Sequence, residues 1–216
     1  MTASTAEPWA VSAERMVRSL GPLPTAIAEA MRSLPRHTFV EPTWRRDAYT
    51  DRPLPLPGSE ATISAPHMVA LQLEWCEPFS GANVLEVGAG SGYLACLIAR
   101  LSAPGGRVEA LELDRQLARF ATENVRANGY AGPVRVHAAD GVDGWSASAP
   151  FDRIVVSCAT PSLLPAWREQ LRDGGLIVAP VGDAWEQVLV RWRKHGASGE
   201  TEEGPACRFV PLVFGR

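Results

Sequence analysis

The chain predicts an α/β fold: a mostly parallel sheet with helices on both faces, an antiparallel hairpin at one edge and a helical segment ahead of it. Three observations lead there. From Asn83 onward, short runs rich in Val, Ile and Leu alternate with stretches of helical spacing, the pattern of a parallel sheet wound with crossover helices. A glycine-rich tract, "EVGAGSGY", stands between the first such run and its helix. The last two apolar runs have no helical pattern between them, so they must pair antiparallel at an edge.

Taken in order, residues 10–20 and 25–34 have helical spacing, the second stretch closed by Pro35. Prolines at 35, 42, 53, 55 and 57 then forbid long regular elements, which predicts an extended wrap across a surface. A helix begins near Ser64, with Pro66 tolerated in its first turn and Met68, Leu71 and Trp75 as its apolar stripe. "VLEV" (84–87) is the first strand of the alternating region. Leu94, Leu97, Ile98 and Leu101 then mark a helix, and "RVEALEL" (107–113) the next strand. Asp114 caps a helix that turns Leu117, Phe120 and Ala121 inward and stops at Asn128-Gly129. "VRVHA", "DRIVVS" and "LIVAPV" are three further strands, the last entered through a turn at Gly174-Gly175. "EQVLVRWR" and "CRFVPLVF" form the closing hairpin, joined by the polar loop "KHGASGETEEGPA".

Composition bounds the function. With 216 residues, the chain suits one domain: residues 1–80 as a helical, substrate-covering segment and 81–216 as the cofactor-binding core. Apolar residues make up 46% and charged residues 21%, which describes an ordinary globular protein, and no run is long enough to span a membrane. The first twenty residues lack a basic leader and a continuous apolar core, so a cytoplasmic location is expected. Cys76, Cys96, Cys158 and Cys207 are scattered without C-x-x-C spacing and read as reduced thiols, and the four histidines are equally dispersed, so no metal is expected. A net charge of −3, with "RWRK" (191–194) as its longest basic tract, disfavours nucleic acid as a partner. Oligomeric state is not legible.

The glycine loop carries the chemistry. A strand-to-helix glycine turn offers helix N-terminal amides and close backbone approach to a polar ligand. By itself such a loop is more often only a tight turn. Its glycines stand at 88, 90 and 92, as G-x-G-x-G, whereas dinucleotide sites usually show G-x-G-x-x-G. Glu86 lies just ahead of the loop, Glu112 ends the next strand and Asp140-Gly141 ends the one after. A carboxylate at position 112 suits ribose hydroxyls. One at 140 suits an exocyclic amine, and one at 86 repels phosphate and attracts an ammonium group. Together they point to S-adenosylmethionine, with NAD as the competing cofactor, and the site is expected to comprise Glu86, Gly88, Ala89, Gly90, Ser91, Gly92, Tyr93, Glu112, Leu113, Asp140 and Gly141.

With these residues in hand, the chain resembles the protein-L-isoaspartate O-methyltransferase family. "LPRHTFVEP", "AYTDRPLPLP", "ATISAPHM", "VLEVGAGSGYLA", "DGVDGW", "PFDRIVVSCATP", "QLRDGGLIVAPVG" and "RFVPLVFG" each resemble a family segment, in the family's order, over nearly the whole chain from about Leu34. The resemblance implies a seven-stranded Rossmann-like sheet of the class I methyltransferases, S-adenosylmethionine as cofactor, and methyl transfer to the free carboxylate of an isoaspartyl residue in a damaged protein or peptide. The ester then collapses to a succinimide that hydrolyses partly to normal aspartate. It also implies that Thr62, Ile63 and Ser64 close over cofactor and substrate.

An isoaspartyl carboxylate is ionised at neutral pH, its ordinary pKa being about 4, so the transfer requires no general base. Ser64 is expected to hold that carboxylate and Thr62 to shape the loop; Ser64 also suits a helix cap bonding the His67 amide. Where the family carries Gly-x-Gly-Gln or Gly-x-Gln-Ala, this chain has Gly58-Ser59-Glu60-Ala61, with Pro57 as an extra residue. A carboxylate facing a substrate carboxylate is repulsive, so either Glu60 points away or the substrate differs. The alternatives to isoaspartyl repair are a carboxyl methyltransferase specialised for an aspartate of a biosynthetic peptide, and a non-catalytic S-adenosylmethionine-binding module.

Overall fold

The computed structural model of the protein describes residues 8–214; residues 1–7 of the stretch read above for a leader, and residues 215–216, lie outside it. Seven strands form one sheet: β3 (Asn83–Val87), β4 (Arg107–Glu112), β5 (Val134–Ala138), β6 (Phe151–Val156), β7 (Leu171–Gly182), β8 (Gln187–His195) and β9 (Ser198–Cys207). Their order is β5-β4-β3-β6-β7-β8-β9. β5 through β7 run parallel, whereas β8 and β9 are antiparallel additions. The chain winds outward from β3 through β4 to β5, then returns to the other side of β3 with β6. The strand order therefore reverses beside β3, the place where open α/β sheets form their ligand crevice.

The helices α1 (Trp9–Ser19), α2 (Thr25–Ser33), α3 (Pro66–Cys76), α4 (Tyr93–Leu101), α5 (Arg115–Ala127) and α6 (Pro165–Gln170) flank this sheet. Both faces carry a core. One cluster joins Met31, Phe39 and Leu73 to Val84, Leu97 and Val155, and the other joins Leu85 and Ile154 to Trp167 and Ile177. The first cluster runs from the N-terminal helices into the sheet, so burial ties the covering segment to the core.

Local chemistry explains the boundaries. Asp114 Oδ1 accepts from the amides of Gln116 and Leu117, capping α5 as expected, and Gly129 stops it at φ +82°. Leu117 and Ala121 are buried as expected, with Phe120 only partly covered.

Five expectations need correction. Residues 35–57 are not merely extended: Pro35 and Pro42 lead into two 3₁₀ turns, 36–39 and 42–44, because proline's fixed φ suits the start of a turn. The face of α3 that packs inward is Val69, Ala70, Leu73 and Cys76, with Gln72 among them, while Met68, Leu71 and Trp75 are only partly covered. Ser64 does not cap this helix; Asp51 Oδ1 does, accepting from the His67 amide at 2.9 Å and meeting His67 Nδ1 at 2.9 Å. Gly174-Gly175 lies within β7, where Gly174 (φ +73°) and a register shift against β6 mark an irregularity. The polar stretch read as the hairpin loop is β9 itself, and the apolar run after Cys207 is no strand. That run instead crosses the strand ends, where the Ala159 amide donates to the Val210 carbonyl (2.8 Å) and the Leu212 amide to the Ala159 carbonyl (2.7 Å).

Candidate active site

Beside β3, the carboxyl ends of four strands and two covering segments enclose a cavity of about 430 Å³, within the usual range for a small-molecule site. Its floor comes from Glu86 to Ser91, from Leu111 to Asp114, from Ala139 to Gly141, and from Ser157 and Cys158. Residues 59–64 form one wall and 210–213 the other. All the site residues expected from sequence line it except Gly92.

Gly92 works behind the wall. It opens α4 at φ +81°, and a Cβ there would stand 3.2 Å from the Ala121 carbonyl oxygen and 3.0 Å from Val125 Cγ2. Its role is the close approach of α4 to α5. Gly90 (φ +54°) turns the loop so that its amide donates to Glu112 Oε2 at 2.8 Å. The other Glu112 oxygen accepts from the Asp114 amide at 3.0 Å. Burial pushes the Glu112 carboxyl up and these amides oppose the shift, so the two strand ends are locked while lone pairs remain for a ligand's hydroxyls.

Glu86 is buried more completely. Its Oε2 has no hydrogen-bond donor among the described residues, and burial first, then the Glu112 charge, drives its pKa well above the ordinary carboxylate value. Across the cavity, Asp140 Oδ1 accepts from the Val142 amide at 3.0 Å, and Gly141 packs so tightly that a Cβ would fall 2.3 Å from Val87 Cγ1.

The cavity's charge is one-sided. Glu60, Glu86, Glu112, Asp114 and Asp140 line it, and no lysine, arginine or histidine does among the described residues. Such a site attracts a cationic ligand and opposes a pyrophosphate, which argues against the dinucleotide alternative. Cys158 is no nucleophile here, because burial and then the charges of Glu112 and Asp140 push its thiol up to about 12.

The Thr62–Ser64 tract is positioned by a small antiparallel pair, β1 (Leu54–Pro55) with β2 (Thr62–Ile63), in which Leu54 faces Ile63. Alternation along β2 buries Ile63 and leaves Thr62 exposed. Ser64 follows, half-buried, and neither hydroxyl is engaged by another group among the described residues. Glu60 lines the cavity from its exposed rim, where water screens its charge.

Three residues that position these walls escaped the sequence reading. Arg36 is fully buried; its Nε donates to the Ala48 carbonyl at 2.8 Å and its Nη2 to the Ser64 carbonyl at 2.7 Å. Tyr93 lies beneath it, with the guanidinium 5.0 Å from the ring centroid. Gln187, on β8, accepts from the Phe209 amide at 2.7 Å and donates to its carbonyl at 3.2 Å, holding the segment that supplies Val210 to Val213. Gln72 reaches in from α3. An arginine within the apolar run "LPRHTFV" was the one available signal for Arg36; nothing local marks the two glutamines.

A glycine loop at the strand-order reversal, a ribose-type acid on β4 and an acidic cavity define a class I S-adenosylmethionine-dependent methyltransferase. The chain belongs to the protein-L-isoaspartate(D-aspartate) O-methyltransferase family, whose model matches residues 15–216. It is 44% identical over 214 residues to a protein-L-isoaspartate O-methyltransferase of Methanopyrus kandleri, covering 93% of this chain and 90% of that one. It is 43% identical over 187 residues to that of Pyrobaculum neutrophilum, covering 87% and 90%. Among solved structures, a protein-L-isoaspartate O-methyltransferase superposes with a TM-score of 0.85 at 25% identity, over 94% of this chain and 66% of that chain. A beta-aspartate methyltransferase of Plasmodium falciparum, solved with S-adenosyl-L-homocysteine, superposes with a TM-score of 0.82 at 21% identity, over 93% and 98%, and adds likeness of fold alone.

Proposed function

We propose that the protein transfers a methyl group from S-adenosylmethionine to the side-chain carboxylate of L-isoaspartyl residues in damaged proteins or peptides, acting as one catalytic unit in the cytoplasm. The observation that carries this reading is the meeting, in one acidic cavity, of the glycine loop with two unengaged hydroxyls, Thr62 and Ser64. Close relatives named for this reaction support it.

The residues present fit the cofactor. Glu112 retains acceptor capacity for ribose hydroxyls, Asp140 lies at the next strand end for the adenine amine, and the orphaned Glu86 oxygen calls for a donor. When bound, the cofactor supplies an electrophilic methyl group on a positively charged sulfur. The protein's task is then positional. Ser64 would donate a hydrogen bond from its hydroxyl to one oxygen of the substrate carboxylate, and the Arg36 bond to the Ser64 carbonyl fixes where that hydroxyl stands. Neutral donors suit this work, because a strong cation would stabilise the ground-state carboxylate and raise the barrier. No proton is abstracted, because an isoaspartyl carboxylate is already ionised at neutral pH. Residues 210–213 and 59–64 flank the cavity from both sides. Four cysteines without a disulfide fit a reducing compartment, and no helix among the described residues is long and apolar enough to cross a membrane.

Incubating the protein with labelled S-adenosylmethionine and either an isoaspartyl peptide or its aspartyl isomer tests the reading. Base-labile methyl ester on the isoaspartyl peptide alone is expected. Ester on the aspartyl isomer alone would transfer the assignment to a specialised aspartyl methyltransferase, and ester on neither would remove it.

A further inference from the structure

Gln72 is a fully buried polar residue lining the cavity that neither the glycine loop nor the Thr62–Ser64 tract accounts for. It is fully buried on the inward face of α3, among Val69, Ala70, Leu73 and Cys76. A buried amide loses both hydration and rotamer freedom, so it persists only where its polar atoms are used. Its Nε2 donates to the Val156 carbonyl at 3.2 Å and approaches Ser157 Oγ at 3.5 Å. A carbonyl can only accept, so this bond dictates which end of the amide faces β6. The other end, Oε1, lines up as an acceptor with no donor among the described residues.

Glu86 Oε2 is the second buried acceptor without a donor on the same cavity. Topology says which half of the ligand meets them. Glu112 ends β4 and Asp140 follows β5, on one side of β3, whereas the Gln72 partners Val156 and Ser157 end β6, on the other. A nucleoside seated on Glu112 and Asp140 therefore extends its amino-acid half over β3 and β6. That half carries an ammonium, a group with three donors and no acceptor.

We infer that Gln72 is a further cofactor-binding residue, its Oε1 accepting, alongside Glu86, a hydrogen bond from the ammonium of the cofactor's methionyl half. The inference rests on the cofactor reading above. It assigns α3 two tasks, since the same side chain ties the helix to the end of β6 and turns an acceptor toward the ligand.

The test compares three probes by titration calorimetry: S-adenosylhomocysteine, its analogue lacking the amino group, and 5′-methylthioadenosine, which lacks the whole amino-acid half. Gln72→Met keeps length and helix preference and removes the acceptor. The variant is expected to bind S-adenosylhomocysteine about 10- to 100-fold more weakly, the loss of one hydrogen bond to a charged group, and to bind the other two probes as the wild type does. Equal loss for all three probes would make Gln72 a structural tie only, and no loss for S-adenosylhomocysteine would remove the contact. Wild-type protein that binds none of the probes would instead overturn the cofactor reading itself. Should Gln72→Met fail to fold, the wild-type Gln72 side-chain amide resonance decides: a larger shift with S-adenosylhomocysteine than with 5′-methylthioadenosine supports the contact, and equal shifts contradict it.

Discussion

Glu86 and Glu112 are both buried acids at adjacent strand ends, yet their surroundings give them different tasks. Glu112 is held by two amides, whereas Glu86 has an oxygen with no donor among the described residues. Burial, followed by the Glu112 charge, raises the Glu86 pKa, so the folded ligand-free protein keeps a proton that the unfolded chain releases above about pH 4.5. By linkage, stability falls as pH rises from there through the folded-state pKa. Glu86→Gln should reduce that slope in melts recorded from pH 5 to 8, leaving the part that the buried Glu112 contributes, raise Tm near neutrality by roughly 2–4 °C per kcal/mol recovered, and weaken S-adenosylhomocysteine binding by about tenfold or more. Ser64→Ala should lower kcat on an isoaspartyl peptide roughly hundredfold with cofactor affinity unchanged, since its hydroxyl serves the substrate. Parallel loss of both would make Ser64 a loop organiser. The acids were legible because each stands at a fixed offset from the glycine turn or a strand end, whereas the hydroxyls of Thr62 and Ser64 were marked by the family resemblance alone. Arg36 and Gln72 were not legible, because their partners lie 28 and 84 residues away and leave no local spacing.

At the level of elements, the strands and helices of the parallel half were legible because each is buried on a definite face. The misreadings fall where a single face does not dominate. In α3, "PHMVALQLEWC" is apolar nearly all round, so the period alone selects no stripe. β9, "SGETEEGPAC", reads as a loop because an edge strand tolerates charge. Its signal was cross-strand: Arg191 stands opposite Glu202, with an ion pair between them, and Arg193 opposite Glu200. The run after Cys207 reads as a strand, but it is an apolar cover pinned by Gln187. Gln187→Leu removes both bonds to Phe209 and should raise KM for the isoaspartyl peptide several-fold, with a smaller effect on kcat in the same assay. Gly92→Ala, which presses a methyl against α5 at a positive φ, should cost about 1–3 kcal/mol in denaturant melts.

For the whole molecule, strand order decides where chemistry happens. The reversal beside β3 leaves a crevice that no single element contains, and the covering segments close it from opposite ends of the chain. Every ionisable side chain lining that crevice among the described residues, apart from the Tyr93 phenol and the Cys158 thiol, is acidic. A positively charged nucleoside is the ligand that turns this field from a cost into an attraction. The most direct test is a crystal structure with S-adenosylhomocysteine. The nucleoside should lie across the ends of β3 and β4 with its ribose on Glu112 and its sulfur facing Ser64. A ligand found outside this crevice, or with its sulfur turned away from residues 62–64, would contradict the account.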